Sequence, residues 1–143
     1  NLVQFHFHAP SEHLIDGRSF PLEAHFVHKS DDGELAVIGV MFEPGEDNVA
    51  LDEIWSHLPR QAGPASAVAG VAVNARDLLP ADRRYHRYMG SLTTPPCSEG
   101  VNWHVMRTPI KASAKQIKAF IDVVGENARP VQSAEHRLLV TGN

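Results

Sequence analysis

The stretch QFHFHAPSEH at residues 4–13 decides the fold prediction, because two histidines alternate with two phenylalanines before a proline turn. In a β-strand successive side chains point to opposite faces, so Gln4, His6 and His8 share one face and the phenylalanines share the other. At a rise of about 3.3 Å per residue, the roots of the two imidazoles lie about 6.6 Å apart. The pattern predicts a strand with one apolar face and one face on which both imidazoles can bind a single metal ion.

The His-x-His pair is a weak signal when it is taken alone. The chain has 9 histidines in 143 residues, and about 0.6 such pairs are expected by chance in a sequence of this composition. Such a pair, taken alone, is more often two solvent-exposed polar side chains than a metal site. A metal site needs a third ligand and groups that orient the imidazoles.

Composition limits the class of protein. The length of 143 residues, with 43% hydrophobic and 21% charged residues, fits one soluble globular domain. A net charge of −4 argues against binding of nucleic acid, and no apolar run reaches the roughly 18–20 residues that span a bilayer. No signal peptide precedes Asn1, so we expect the sequence to begin after processing or after removal of a segment. The single cysteine, Cys97, is either a free buried thiol or one half of a disulfide.

Apolar periodicity and turn residues divide the chain into predicted elements. Strands are predicted at residues 2–8, 20–29, 34–43, 85–91, 101–107 and 138–140, helices at 48–58 and 113–124, and a helical turn at 74–78. The last helix has the clearest signals, because Ser113 and Gln116 form a capping box and Gly125 follows its apolar stripe. The predicted fold class is mainly β (α+β): a central twisted, mostly antiparallel sheet with a few peripheral helices.

The second predicted strand offers a third metal ligand. Its sequence LEAHFVH, residues 22–28, places Glu23 and His25 on one face. A turn after Pro10 would return this strand beside the first, where His25 would face His6 and His8. Three neutral imidazoles with one open position describe a catalytic zinc site rather than a structural one.

Two further residues support the metal site by their spacing. Gln4 lies two residues before His6 on the same strand face, and Glu23 lies two residues before His25. A metal-bound imidazole normally donates its other N–H to such an acceptor. The alternative for Glu23 is a solvated charge on an exposed strand.

These motifs, in this order, resemble the α-class carbonic anhydrases. The resemblance rests on QFHFHAPSEH, on the pattern ExHxVH at residues 23–28, and on GSLTTPP at 90–96; AVIGVMFE, VNWHV and NARPVQ agree with it. It extends over nearly the whole chain and implies an α-carbonic anhydrase-like fold. The implied activity is that of a zinc lyase (carbonate dehydratase), which reversibly hydrates carbon dioxide to bicarbonate and a proton by way of zinc-bound hydroxide. The partner that the resemblance implies is this small-molecule substrate.

The resemblance also implies a role for each site residue. It makes His6, His8 and His25 the ligands of Zn²⁺, with Gln4 and Glu23 as the acceptors behind them.

In the same resemblance, Thr93 holds the zinc hydroxide and gives its own proton to Glu12, while Thr94 lines the same rim. The residues implied to form the apolar wall for carbon dioxide are Val27, Val37, Leu92, Val101 and Trp103. Ordinary core packing is the alternative for these five.

Other histidines are assigned more ordinary roles. His13 and His28 are expected to be structural, and His57, His86, His104 and His136 to be surface or hydrogen-bonded residues.

The chain departs from the resemblance at its N-terminal side. We expect residues 1–143 to be a single catalytic domain that lacks an N-terminal segment, which in this family carries the proton-shuttling histidine and, in secreted and bacterial members, the partner of Cys97. The resemblance implies sulfonamide sensitivity and a periplasmic or secreted protein. Exposed sheet edges favour pairing with another chain, such as a second copy in a homodimer.

Two rival functions remain. One is a non-enzymatic binding or adhesion module on the same fold, which typically loses one zinc histidine. The other is a zinc hydrolase that acts on esters, since zinc hydroxide is a general nucleophile.

Overall fold

A computed structural model describes residues 1–61, 63–64, 66–134 and 137–142. Within these ranges the strands are β1 Leu2–His8, β2 Leu22–Lys29, β3 Leu35–Pro44, β4 Tyr85–Ser91, β5 Glu99–Met106, β6 Ile110–Ala112 and β7 Val140–Gly142. The helices are α1 Val49–Trp55 and α2 Ala114–Val124, and Ala75–Leu78 forms a 3₁₀ turn. The strands form one sheet, which confirms the predicted fold class.

The sheet is mixed, with parallel pairing at its centre. Its strand order is β1-β2-β3-β5-β4-β7, and β6 lies beside β3. The β1/β2, β2/β3, β4/β5 and β4/β7 pairs are antiparallel, whereas β5 and β6 both run parallel to β3. Parallel neighbours need a long crossover, and the chain between β3 and β5 supplies it through α1, the 3₁₀ turn and β4.

Some predicted boundaries were wrong for local reasons. The second strand begins at Leu22 and not at residue 20, because the main chain of Phe20 bonds to Ser11 instead of a strand: Ser11 N donates to Phe20 O (2.8 Å) and Phe20 N donates to Ser11 Oγ (2.9 Å). The last strand is Val140–Gly142 rather than 138–140. The short β6 was not predicted.

One face of the sheet packs on the helices. Phe7 on β1 is buried there, with ring centroids 4.8 Å from Trp55 and 6.1 Å from Phe120. The capping box of α2 is present as predicted: Gln116 N donates to Ser113 Oγ and Ser113 N donates to Gln116 Oε1. This apolar layer fixes the direction in which the histidines of β1 point, because alternate residues of a strand face opposite sides.

Candidate metal centre

Three imidazoles meet on the sheet face opposite the helices. His6 and His8 come from β1 and His25 from β2, and His6 lies directly across the strand pair from His25. The ring centroids are 4.9 Å apart for His6 and His8, 5.3 Å for His6 and His25, and 4.5 Å for His8 and His25. One nitrogen from each ring lies within 4.8 Å of the others. The strand register therefore creates the cluster from two neighbouring strands alone.

Two of the three rings are oriented by side-chain acceptors. The distance from His6 Nδ1 to Gln4 Oε1 is 2.8 Å, and from His25 Nε2 to Glu23 Oε1 it is also 2.8 Å. Since both oxygens are acceptors, those ring nitrogens carry the hydrogen. The lone pairs remain on His6 Nε2 and His25 Nδ1, as metal ligation requires.

The third ring has buried nitrogens that lack good partners. His8 is 3% exposed, and neither of its ring nitrogens forms a hydrogen bond within the part of the chain that the structure describes. Its Nδ1 lies 3.3 Å from Glu12 Oε1 but without hydrogen-bond geometry. An unpartnered buried polar group is costly, and an ion shared with His6 and His25 would supply a partner for one nitrogen of His8. The residues present therefore fit a metal ion.

The surroundings favour the neutral forms of His6 and His8. Burial, with further contributions from His25 and His8, lowers the pKa of His6 to about 4. Burial and His25 also lower the pKa of His8, although Glu12, Glu23 and the Asn127 main chain act in the opposite direction. Neutral imidazoles are the form that binds metals.

Glu23 is a fully buried carboxylate with four donors. Its Oε2 accepts from the main-chain N–H groups of Glu12 (2.8 Å) and His13 (3.1 Å), and its Oε1 accepts from His13 Nδ1 (2.6 Å) and His25 Nε2 (2.8 Å). Burial alone would raise the pKa of Glu23, but the interactions with His13 and His25 hold it well below its usual range. Gly39 gives this carboxylate room, since a Cβ there would lie 2.9 Å from Oε1.

Glu12 and Thr93 lie on the wall of one cavity of about 290 Å³. Glu12 is buried; its Oε1 accepts from Arg129 N (2.7 Å), while Oε2 has no hydrogen-bond partner among the described residues. Among the described residues, no hydrogen bond joins Glu12 to Thr93. The three imidazoles do not line this cavity. The position of the candidate metal centre is therefore given by the imidazoles themselves and not by the cavity. Thr94 is exposed beside Thr93.

The five apolar residues expected at the wall lie in one cluster. Val37, Val101 and Trp103 are buried in it, and Val27 and Leu92 pack against it. The Trp103 ring lies 4.8 Å from that of His25. The cluster thus adjoins the triad, and its buried members also serve as core.

The other histidines have different environments. His13 joins Glu23 to Tyr88, because its Nε2 lies 2.7 Å from the Tyr88 hydroxyl. His28 Nδ1 donates to the Phe26 carbonyl, and His57 is exposed. His86 is half-buried, and its Nδ1 has no partner among the described residues. The His104 ring packs on Tyr85. His136 lies outside the described residues. Cys97 is a free, partly exposed thiol with φ of 57°.

Two residues next to the centre were not assigned roles by the sequence. Asn127 and Arg129 follow α2 and contact the segment around His8 and Glu12. The only sequence signal is their position in the motif NARPVQ, because their partners in that segment are more than 100 residues away along the chain.

Comparisons with known proteins agree with this geometry. A family profile described as eukaryotic-type carbonic anhydrase matches residues 1–142. A carbonic anhydrase of Pectobacterium carotovorum is 49% identical over 141 residues, which cover 97% of this chain and 57% of the relative. A hyperthermostable carbonic anhydrase from a hydrothermal vent chimney superposes with a TM-score of 0.93 at 51% identity, covering 99% of this chain and 64% of that structure.

A third comparison is with a structure that was solved in complex with an inhibitor. The α-carbonic anhydrase of Thermovibrio ammonificans, solved with sulfanilamide, has a TM-score of 0.92 and 45% identity over 96% of this chain and 61% of that one. The chain spans about half the length of the curated relatives that it matches. Among the described residues, no helix has the length and apolar character needed to cross a membrane. From its sequence, its fold and its histidine cluster, the chain belongs to the eukaryotic-type carbonic anhydrase family.

Proposed function

We propose that the protein catalyses the reversible hydration of carbon dioxide to bicarbonate and a proton, with Zn²⁺ held by His6, His8 and His25. The observation that carries the proposal is the triad of imidazoles in which two rings have their second nitrogen bonded to Gln4 or Glu23. Catalytic zinc sites typically have three protein ligands, of which three histidines are one known set, and this leaves one coordination position for the reactants. When bound there, the ion supplies a Lewis acid that acidifies water and polarises the substrate.

In this proposal, acceptors behind the ligands tune them. Gln4 and Glu23 fix the tautomers of His6 and His25. The negative charge of Glu23 also makes the His25 ring a stronger electron-pair donor to a metal ion. Because Glu23 is fully buried, solvent screens this effect weakly.

Glu12 and Thr93 would orient the reacting water. Oε2 of Glu12 is a buried acceptor without a partner among the described residues, and the Thr93 hydroxyl lies on the wall of the same cavity. We propose that Thr93 donates its proton to Glu12 when the substrates are bound. The hydroxyl oxygen can then only accept, which selects one orientation of the water, and Thr94 forms the adjacent rim.

The apolar cluster beside the triad would receive carbon dioxide. Val27, Val37, Leu92, Val101 and Trp103 offer an uncharged molecule a surface with few competing hydrogen bonds. The Thermovibrio relative binds sulfanilamide, and we propose that sulfonamides inhibit this protein too.

The remaining parts of the proposal rest on family resemblance and on exposed edges. We propose that residues 1–143 belong to one catalytic domain and that the protein is periplasmic or secreted. The outer strand β1 exposes Leu2 and Val3, which suits pairing with a second copy.

Stopped-flow hydration of carbon dioxide tests the activity. Zinc-loaded protein should accelerate hydration, a chelator should abolish the acceleration, and added zinc should restore it. An activated ester, tested in parallel, should react far more slowly. A zinc-loaded protein that leaves the hydration rate at its uncatalysed value, or that prefers the ester, would contradict the proposal.

A further inference from the structure

The cavity whose wall includes Glu12 and Thr93 also reaches two arginines. Arg129 and Arg137 line the same space of about 290 Å³, and both residues are partly exposed. Neither guanidinium takes part in the proposed hydration of carbon dioxide. This part of the cavity wall is therefore free to serve a different ligand.

The two guanidinium groups have no carboxylate partner within the part of the chain that the structure describes. The hydrogen bond found for the Arg129 side chain, from Nη1 to Ser91 Oγ, is 3.5 Å long, which is longer than a usual N–H···O bond. The Arg137 guanidinium lies 5.6 Å from the centroid of the Tyr88 ring. Such a contact with a ring face holds the group in place and uses none of its N–H donors. Donors for an incoming acceptor are therefore available on both arginines.

The charges on the cavity wall favour an anion on balance. Among aspartate, glutamate, lysine and arginine side chains, the wall contains two guanidinium groups and one carboxylate, that of Glu12. Glu12 is buried, and its Oε1 already accepts from Arg129 N (2.7 Å). Repulsion from this carboxylate favours a position for the anion nearer to Arg137 than to Glu12.

Large apolar side chains that are exposed to solvent form another part of the wall. Leu14, Val131 and Leu139 line the cavity, and 44%, 51% and 61% of their surfaces are exposed. Apolar side chains gathered around a concave surface are typical of ligand sites, in which a few polar groups fix the orientation. The volume is at the small end of the range of about 300–1,000 Å³ for such sites, so it suits a small molecule.

We propose that this cavity is a second binding site, independent of the metal ion, for a small monocarboxylate with an apolar body. The carboxylate would accept N–H groups of Arg137, because the planar guanidinium fork matches its two oxygens, and Arg129 would add a second positive charge. The apolar body would cover Leu14, Val131 and Leu139. Phosphate or bicarbonate would match the charge of the site but not its apolar wall.

Benzoate is the probe that tests this site, because it combines a carboxylate with an apolar ring. Isothermal titration calorimetry on the zinc-loaded protein should show one benzoate bound per chain. Acetate and inorganic phosphate lack the ring, and benzamide lacks the charge. Each of these three should bind about 10-fold more weakly than benzoate, or weaker still.

Variants of the arginines locate the bound carboxylate. Arg137→Gln should weaken benzoate binding about 10-fold or more, and Arg129→Gln should weaken it less. Arg137→Lys, which keeps the charge and loses the planar fork, should have an intermediate affinity. The matched control is Arg107→Gln, which removes an exposed arginine outside the cavity and should bind benzoate like the wild type. Removal of zinc with a chelator should leave the affinity unchanged.

Several results would overturn the inference. These are a wild-type protein without saturable benzoate binding at millimolar concentrations, equal binding of acetate or phosphate, and wild-type affinity in both Arg137→Gln and Arg129→Gln. Binding that disappears with the zinc and survives in the Arg137 variants would place benzoate on the metal ion, which contradicts the inference and supports the proposed zinc site. A protein that binds benzoate through Arg137 but does not hydrate carbon dioxide would support the inference and contradict the proposed function.

Discussion

The histidines near the centre differ in what their ring nitrogens contact, and this difference separates their roles. In His6 and in His25, one ring nitrogen is hydrogen-bonded to a neighbouring side chain, and the other is left free to bind an ion. His13 uses both nitrogens in hydrogen bonds, to Glu23 and Tyr88, so it has no lone pair free for an ion. The same residue type is therefore suited to ligation in one place and to scaffolding in another.

A single hydroxyl carries the proposed orientation of water. We expect Thr93→Ala to keep full zinc content and to lose on the order of 10²-fold in kcat/KM for carbon dioxide, because one positioned group is lost and no ligand is. Metal analysis and stopped-flow kinetics on the same sample measure both. The control is Thr141→Ala, an exposed threonine on β7, which should change neither. Unchanged kinetics in Thr93→Ala would remove Thr93 from the reaction.

Much of the cluster was predictable from the sequence because strand periodicity is a local property. The spacing of two residues placed Gln4 with His6 and Glu23 with His25, and the structure has both hydrogen bonds. Asn127 was beyond such reasoning, since its contacts to β1 depend on where the chain returns after α2. The predicted bond between Thr93 and Glu12 involves two distant loops and stays a prediction.

At the level of elements, one buried carboxylate joins the β1–β2 connection to β2. Glu23 lies on β2, and its Oε2 accepts the N–H groups of Glu12 and His13 from that connection. Through His13 it also reaches Tyr88 on β4. The carboxylate therefore aligns three elements around the histidine cluster.

Glu23→Gln should disturb this junction strongly. Glutamine keeps one acceptor oxygen and brings two donors toward groups that already donate, so we expect a loss of about 3–5 kcal/mol in the free energy of unfolding at pH 7. Urea unfolding measures it. Glu43→Gln, which removes a more exposed carboxylate paired with Arg18 and Lys111, is the control and should cost much less.

The pH dependence gives the same prediction a second test. The folded-state pKa of Glu23 is depressed, so its contribution to stability is present above the unfolded pKa and is lost as the pH falls toward the folded value. The difference in stability between wild type and Glu23→Gln should therefore shrink as acid is added. A difference that is constant with pH, or small at pH 7, would show that the charge of Glu23 does not hold the junction.

The accuracy of the predicted strands and helices varied more than that of the predicted residue contacts. β1, β4 and the body of α2 follow from alternation and capping signals within each segment, and the structure has them where they were expected. The parallel pairing of β3 with β5 joins segments more than 60 residues apart, which no local pattern specifies. β6 is only three residues long, too short for a periodicity to be detected.

At the scale of the whole molecule, the two faces of the sheet have different roles. One face carries the phenylalanines that pack on α1 and α2, and the other carries the imidazoles and the cluster around Trp103. Although the chain spans about half the length of its curated relatives, all three proposed ligands come from β1 and β2. The central claim is that these two strands by themselves form the metal site on which hydration depends.

Elemental analysis of zinc per chain, before and after removal of one ligand, tests this claim most directly. The wild type should hold one zinc ion per chain. His25→Ala should hold close to none and lose carbon dioxide hydration, because two imidazoles remain, while His57→Ala, at an exposed histidine, should keep both zinc and activity. Stoichiometric zinc in His25→Ala, or a wild type that hydrates carbon dioxide without zinc, would contradict the account.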